Sequence, residues 1–325
     1  MKILIDTFGA DEGVKVLVDG AILALKKKEF TPVFVGNKKE IENLINGRIK
    51  DYEIIHTDEF ISNDEDPVRA IRRKKDSSLA LAYNKLKEEG YDGLLSAGST
   101  GGLLAGGIFI SKRIDGIDRP SLAAPLPSIG AYSMLMDTGA NMDCKPAYLA
   151  EFAIMGKVFL ENVIHIKNPK IGLLNVGVES HKGNKLAKEA YGLLSESNLN
   201  FVGNIEARDL FTGKVNIVVA DGFAGNVAIK TAEGVISIFK SQMKEVFYKS
   251  LKNKLAALAI KDDLSKQMGK FSSQNIGGVP LLGVKSYVYK AHGNSNDIAI
   301  SNAILGLIDY IKMDVINKIQ GELND

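Results

Sequence analysis

A lysine flanked by glycines, between an apolar run and a helical one, is well placed to hold an anion. Lys182 has that setting in Asn175-Val176-Gly177-Val178-Glu179-Ser180-His181-Lys182-Gly183-Asn184. It suits a phosphate or a developing oxyanion, and a solvated lysine is the other reading. Asp221-Gly222-Phe223-Ala224-Gly225-Asn226 again joins a strand to a long helix, and the Asn226 amide there is able to polarise a carbonyl. Residues 96–102, Ser-Ala-Gly-Ser-Thr-Gly-Gly, follow a strand and open an apolar helix. Their backbone amides, with the Ser99 and Thr100 hydroxyls, make an anion site, although an N-cap on a tight turn explains them equally. In residues 137–146, Asn141 can donate to an anion and Asp143 can orient a side chain; a capped helix start with Pro146 near its first turn is the alternative. Two further glycine-bearing segments, 277–283 and 291–295, close the set. Within the second, His292 is a general base, an anion donor or a packed turn residue.

These residue types handle phosphate and oxyanions without a covalent serine. G-x-S-x-G does not occur, and no local motif makes a Ser-His-Asp arrangement. The 96–102 loop is neither a Walker loop nor a G-x-G-x-x-G fingerprint.

The elements that must carry these loops are legible in the apolar pattern. Runs of strand length recur at 3–5, 33–35, 94–95, 171–176 and 215–220. Stripes of helical period lie between them, as in Val14, Leu17, Val18, Ala21 and Leu25, or Leu79, Leu81, Ala82 and Leu86. Strands alternating with amphipathic helices predict an α/β fold, a mainly parallel sheet with helices on both faces. In such a sheet the strand C-termini line the ligand crevice, where most of the polar and glycine residues above fall. Residues 248–271 stand apart as Lys-rich and helical: Leu251, Leu255 and Leu258 repeat at spacings of four and three, as do Leu264, Met268 and Phe271. Lys261-Asp262-Asp263 is expected to divide them into two short helices, a protruding amphipathic hairpin.

Composition bounds the rest. The 325 residues suit a single unit or two intimate subdomains; 45% are apolar and 25% charged, and net charge is +2. That balance gives no pull toward nucleic acid. Cys144 is the single cysteine and the four histidines are scattered, so neither a disulfide framework nor a structural metal is expected. No signal-peptide pattern and no stretch of ~20 apolar residues is present, which makes the cytoplasm the default location.

Taken in order, the motifs resemble those of the acyl-acyl-carrier-protein:phosphate acyltransferase family (PlsX), nearly end to end. The resemblance includes the turn from Asp6 through Gly9 to Asp11, Lys74-Lys75-Asp76-Ser77-Ser78, Ser96 to Gly101, and Gly139-Ala140-Asn141 with Asp143. It continues through Gly172-Leu173-Leu174-Asn175, Lys182-Gly183-Asn184, Asn200-Phe201-Val202-Gly203-Asn204 with Arg208-Asp209, and Asp221-Gly222-Phe223. It ends with Pro280-Leu281-Leu282-Gly283 and His292-Gly293. Phe8, Ala10, Ser99 and Val178 depart from the usual pattern, which bears on acyl-chain preference and phosphate geometry.

The resemblance implies a fold similar to the isopropylmalate dehydrogenase and phosphotransacetylase group. It further implies a homodimer, no cofactor or metal, and transfer of a long-chain acyl group from acyl carrier protein to inorganic phosphate. The product would pass to a membrane-bound glycerol-3-phosphate acyltransferase of phospholipid synthesis, which implies a cytoplasmic enzyme at the membrane periphery. Lys182 and Asn226 are the implied catalytic pair. Asp6, Gly9, Asp11, Ser99, Thr100, Gly101, Asn141, Asp143 and His292 are the implied substrate contacts. Arg69, Arg72, Arg73, Lys74 and Lys75 suit docking of an acidic carrier protein, or form a solvated helix face. Leu251, Leu255 and Leu258 suit the membrane or the partner subunit. A phosphotransacetylase-like enzyme using acyl-CoA and a non-catalytic scaffold binding acyl carrier protein are the alternatives.

Overall fold

The computed structural model describes residues 1–62, 64–269 and 277–324, and of residues 264–269 the backbone alone. Along the chain, β1 (Lys2–Asp6), α1 (Val14–Leu25), β2 (Thr31–Gly36), α2 (Lys38–Ile45), β3 (Glu53–His56), α3 (Pro67–Arg73), α4 (Ser78–Lys85), β4 (Gly93–Ser96) and α5 (Thr100–Gly106) come first. Then follow β5 (Ser121–Leu122), β6 (Ala124–Leu126), β7 (Ser133–Met136), α6 (Pro146–Phe159), β8 (Ile171–Asn175), α7 (Lys185–Glu196), β9 (Phe201–Glu206) and β10 (Ile217–Val219). The last elements are α8 (Gly222–Tyr248), α9 (Leu251–Gly269), β11 (Gly278–Leu282), β12 (Val288–Ala291), α10 (Asp297–Lys312) and α11 (Val315–Asn324).

They form two sheets. The first has the order β3-β2-β1-β4-β12-β11-β5, the second β6-β7-β10-β8-β9. All pairs are parallel except β11 with β12, β11 with β5, and β6 with β7. The chain passes from the first sheet to the second between β5 and β6, and returns with β11.

Side-chain alternation explains the layering. In β1, Ile3 and Ile5 pack with Leu17, Ile300 and Ile304 of α1 and α10, whereas Leu4 packs with Leu79 and Tyr83 of α4 and Leu103 of α5. A strand that is apolar on both faces needs such double cover. In the second sheet, Met134 and Met136 face Phe152 and Phe159 of α6, while Leu135 and Val218 face Ala224 and Ala228 of α8.

α8 and α9 differ from every other helix. Within α8 only Gly222 and Gly225 are buried. Val235, Ile238 and Phe239 on α8 are exposed, and so are Leu251, Leu255 and Leu258 of α9, at 76%, 61% and 67%. The expected division at Lys261-Asp262-Asp263 is not there: α9 runs unbroken through those residues, and the break lies between Tyr248 and Leu251. Lysine and aspartate lower helix propensity only slightly, and no glycine or proline interrupts the run. Lys270 and Phe271 lie outside the described residues, as do the side chains of Leu264, Lys266 and Met268. Among the described residues no helix is long and apolar enough to cross a membrane.

Candidate active site

Three neighbouring strands of the first sheet carry polar side chains in register at or next to their C-terminal ends. Asp6 of β1 pairs with Ser96 of β4, and Ser96 pairs with Lys290 of β12. The Asp6 carboxylate is buried and accepts from Ser96 Oγ at 2.7 Å and from the Phe8 amide at 3.2 Å. Burial raises its pKa, and hydrogen bonds from Ser78 and Ser96 oppose that rise. Ser96 Oγ also accepts from the Gly98 amide at 3.1 Å, so one hydroxyl ties the two strand ends to the following loop. Gly9, at φ 87°, sits so close to that loop that a Cβ would lie 2.2 Å from Gly98 Cα. Only glycine fits there.

The second sheet contributes a braced loop. Asp137, just beyond β7, is buried and accepts from the Asn141 amide at 2.6 Å, the Thr138 amide at 2.8 Å and Asn141 Nδ2 at 3.1 Å. Asn141 Nδ2 also donates to the Pro120 carbonyl at 2.7 Å. Both side-chain hydrogens of Asn141 therefore have protein acceptors. The loop carries Gly139, at φ 120°, to within 3.3 Å of Asn226 Cγ, measured from where a Cβ would stand. Asp221 caps α8 by accepting from the Ala224 amide at 2.7 Å, and Asn226 follows about a turn later.

A cleft of about 600 Å³ lies between these strand ends. Gly9, Asp11, Gly98 and Thr100 line it from the first sheet's loops; Thr138, Gly139, Asn226, Lys230 and Glu233 line it opposite; Lys290 and His292 close it. Lys290 Nζ donates to the Ala97 carbonyl at 3.1 Å and to the Ala291 carbonyl. Burial pushes its pKa down to about 8, a fall that Asp6 and Asp11 partly offset. His292 is held below the usual imidazole range by partial burial, then by the positive charges of Lys230 and Lys290.

A second cavity, of about 890 Å³, lies against another face of α8. Its walls are mostly apolar, among them Leu149, Leu173, Leu186, Leu210, Phe211, Val227 and Ala228, with Asn175, Asn184, Arg208, Asp221 and Thr231 as polar exceptions.

Of the residues singled out in the sequence, Gly9, Asp11, Thr100, Asn226 and His292 meet in the cleft. Asp6 and Asn141 lie buried behind it. Ser99 caps α5, accepting from the Gly102 amide at 3.3 Å, and a Cβ on Gly101 would stand 2.9 Å from Pro67. Asp143 is exposed beyond the cleft lining. Lys182 is exposed and outside that lining too; its carbonyl accepts from Asn175 Nδ2 at 3.2 Å, and its neighbours Gly183 and Asn184 line the apolar cavity. Arg69, Arg72, Arg73 and Lys75 are exposed on and after α3, whereas Lys74 pairs with Glu65 at 2.8 Å and donates to the Phe60 carbonyl at 2.9 Å. Among the departures from the family pattern, Phe8 stacks on Phe60 with ring centroids 5.0 Å apart. The Cys144 thiol is pushed up to about 12 by burial, which makes it a poor nucleophile. Lys290 and Lys230 were not singled out, and Ser96 and Asp137 entered only as members of their loops. For Lys290 the available signal was a lysine ending an apolar strand two residues before His292.

A family model described as fatty acid synthesis protein matches residues 1–318. Proteins named phosphate acyltransferase from Clostridioides difficile and Thermoanaerobacterium thermosaccharolyticum are 45% and 43% identical to this chain. Those matches cover 98% and 99% of this chain and 95% and 97% of the relatives. The chain belongs to the phosphate acyltransferase family. It is accordingly an acyltransferase. In fold it is similar to a phosphotransacetylase from Streptococcus pyogenes, with TM-score 0.60, 20% identity, and coverage of 98% of this chain and 94% of that one. It is equally similar to the EutD phosphotransacetylase of Staphylococcus aureus, with TM-score 0.60, 16% identity, and coverage of 96% and 94%.

Proposed function

We propose that the protein makes acyl phosphate from a long-chain acyl carrier protein and inorganic phosphate, for phospholipid synthesis. The observation that carries this reading is the pair of unlike cavities along α8, one lined by charged and polar side chains of both signs, the other mostly apolar and large enough for a long chain. The acyl chain enters the apolar cavity, the thioester lies at the first turns of α8, and phosphate occupies the cleft. A phosphate oxygen attacks the thioester carbonyl carbon, the C–S bond breaks, and the carrier leaves as thiolate. Phosphate is already nucleophilic when dianionic, so the site's work is positioning and oxyanion stabilisation. Asn226 donates to the carbonyl from the cleft side, and Lys182 supplies positive charge from the rim of the apolar cavity.

Arg69, Arg72, Arg73 and Lys75 dock the acidic carrier in this scheme. The exposed apolar residues of α8 and α9 meet a second copy of the chain, the membrane, or both. Contact with the membrane would release product beside the membrane-bound glycerol-3-phosphate acyltransferase that consumes it. Sedimentation and vesicle flotation check these two contacts.

The functional test is phosphate-dependent thiol release, compared between acyl carrier protein and coenzyme A donors of equal chain length. Release preferring the carrier protein supports the reading. Preference for acyl-CoA makes the protein phosphotransacetylase-like, and no phosphate-dependent release leaves a binding scaffold.

A further inference from the structure

We infer that Lys290 holds the attacking phosphate, its ammonium facing one phosphate oxygen at the floor of the cleft. The inference rests on the reading of the cleft as the phosphate side of an acyl-transfer site.

An ammonium has three N–H donors. Lys290 gives two of them to the carbonyls of Ala97 and Ala291. Among the described residues no carboxylate forms an ion pair with it. Asp6 is the near candidate, but its carboxylate is occupied by Ser96 Oγ and the Phe8 amide. A largely enclosed cation with a spare donor and no ion-paired carboxylate is costly; Asp6 and Asp11 nearby offset part of that cost, and an incoming anion relieves more of it. Donors converge on the same cleft. Lys230, His292 and the Thr100 hydroxyl line it, and Gly9 and Gly98 expose backbone on the facing wall, while Asp11 and Glu233 are the carboxylates an anion has to stand clear of. The lowered pKa of Lys290 reflects burial that Asp6 and Asp11 offset only in part, and a bound dianion would raise it again. The site's chemistry suits a tetrahedral oxyanion, whether free phosphate or the phosphodiester of the donor's carrier arm. The carbonyl carbon that Asn226 polarises lies across the same cleft, so free phosphate is the occupant that puts a nucleophile beside it.

The test is a kinetic split on Lys290→Met and Lys290→Arg, with folding checked by thermal melting. Truncating one partner of a buried, hydrogen-bonded charge pair typically weakens binding by about 30-fold or more. KM for phosphate should rise by that order in Lys290→Met, with KM for the acyl donor unchanged. Lys290→Arg should recover part of it. A rise in the donor KM alone would assign Lys290 to the carrier arm and overturn the inference, as would an unchanged phosphate KM in a folded, active variant. A purely structural partner of Asp6 would lower the melting temperature and leave both KM values alone. If Lys290→Met does not fold, reductive methylation of the native protein decides. Inorganic phosphate should slow labelling of Lys290 where equal chloride does not, and equal labelling in both contradicts the proposal. Absence of acyl phosphate from the native protein would remove the underlying reading instead.

Discussion

α8 turns Ala224, Val227, Ala228 and Thr231 toward one cavity and Asn226, Ile229, Lys230 and Glu233 toward the other. Spacings of three and four put each set on its own face. The first face is small and apolar, and it closes against Leu173 and Leu186 of the second sheet's layer. The second is polar, and it meets the loop ends of the first sheet, where Lys290 and His292 stand. In the proposed reading one helix thus separates a place for hydrocarbon from a place for an anion, the two parts of an acyl phosphate.

Removing the two groups proposed to act on the thioester carbonyl should have the largest effect. Asn226→Ala and Lys182→Ala should each lower turnover by about 10²–10³, the usual loss for one preorganised oxyanion contact. Phosphate KM should change little in either. Steady-state kinetics on folded variants checks this, and wild-type turnover in Lys182→Ala would take that exposed residue out of the chemistry.

The polar side alone should respond to pH. Lys290 is cationic below its pKa of about 8 and neutral above it, in a setting shared with Asp6, Asp11, Lys230, Glu233 and His292. Binding of dianionic phosphate needs the cation. KM for phosphate should therefore be flat just below pH 8 and rise about tenfold per unit above it, while KM for the acyl donor does not follow. In Lys290→Arg the rising limb should vanish from the accessible range.

Filling the apolar side should act only on chain length. Ala228→Phe should raise KM for long-chain donors by roughly tenfold, within the range for a small change in a hydrophobic pocket, and spare short-chain ones. Equal effects on both would mean that the chain lies elsewhere. Smallest of all, Cys144→Ser should retain most activity, because a thiol with its pKa pushed up to about 12 stays protonated. An acyl adduct trapped on Cys144 by mass spectrometry would contradict direct attack by phosphate.

The α/β architecture was legible because β1, β2 and β4 are continuous apolar runs and α1 and α4 carry helical stripes. The antiparallel β11 and β12 were not, since Val288-Tyr289-Lys290-Ala291 is short and interrupted by a charge. That same interruption hid Lys290. A lysine in a strand reads as an edge residue until β12 is seen pairing with β4 and aiming it at the strand ends. The glycine loops at 96–102 and 137–146 were visible, but not the division of labour within them. Asn141 was expected to donate to an anion, and its donors go to Asp137 and the Pro120 carbonyl, an arrangement that depends on contacts with β5 and the loop before it. Lys182 and Asn226 come from different strand–helix junctions, and their spacing in sequence carries no information on which cavity each faces.

Whether phosphate and an acyl thioester combine at α8 is decided by mass detection of acyl phosphate. Purified protein, long-chain acyl carrier protein and ¹⁸O-labelled phosphate should give acyl phosphate retaining the label, with little product from Asn226→Ala. Free fatty acid as the only acyl product, or label-free acyl phosphate, would contradict that combination.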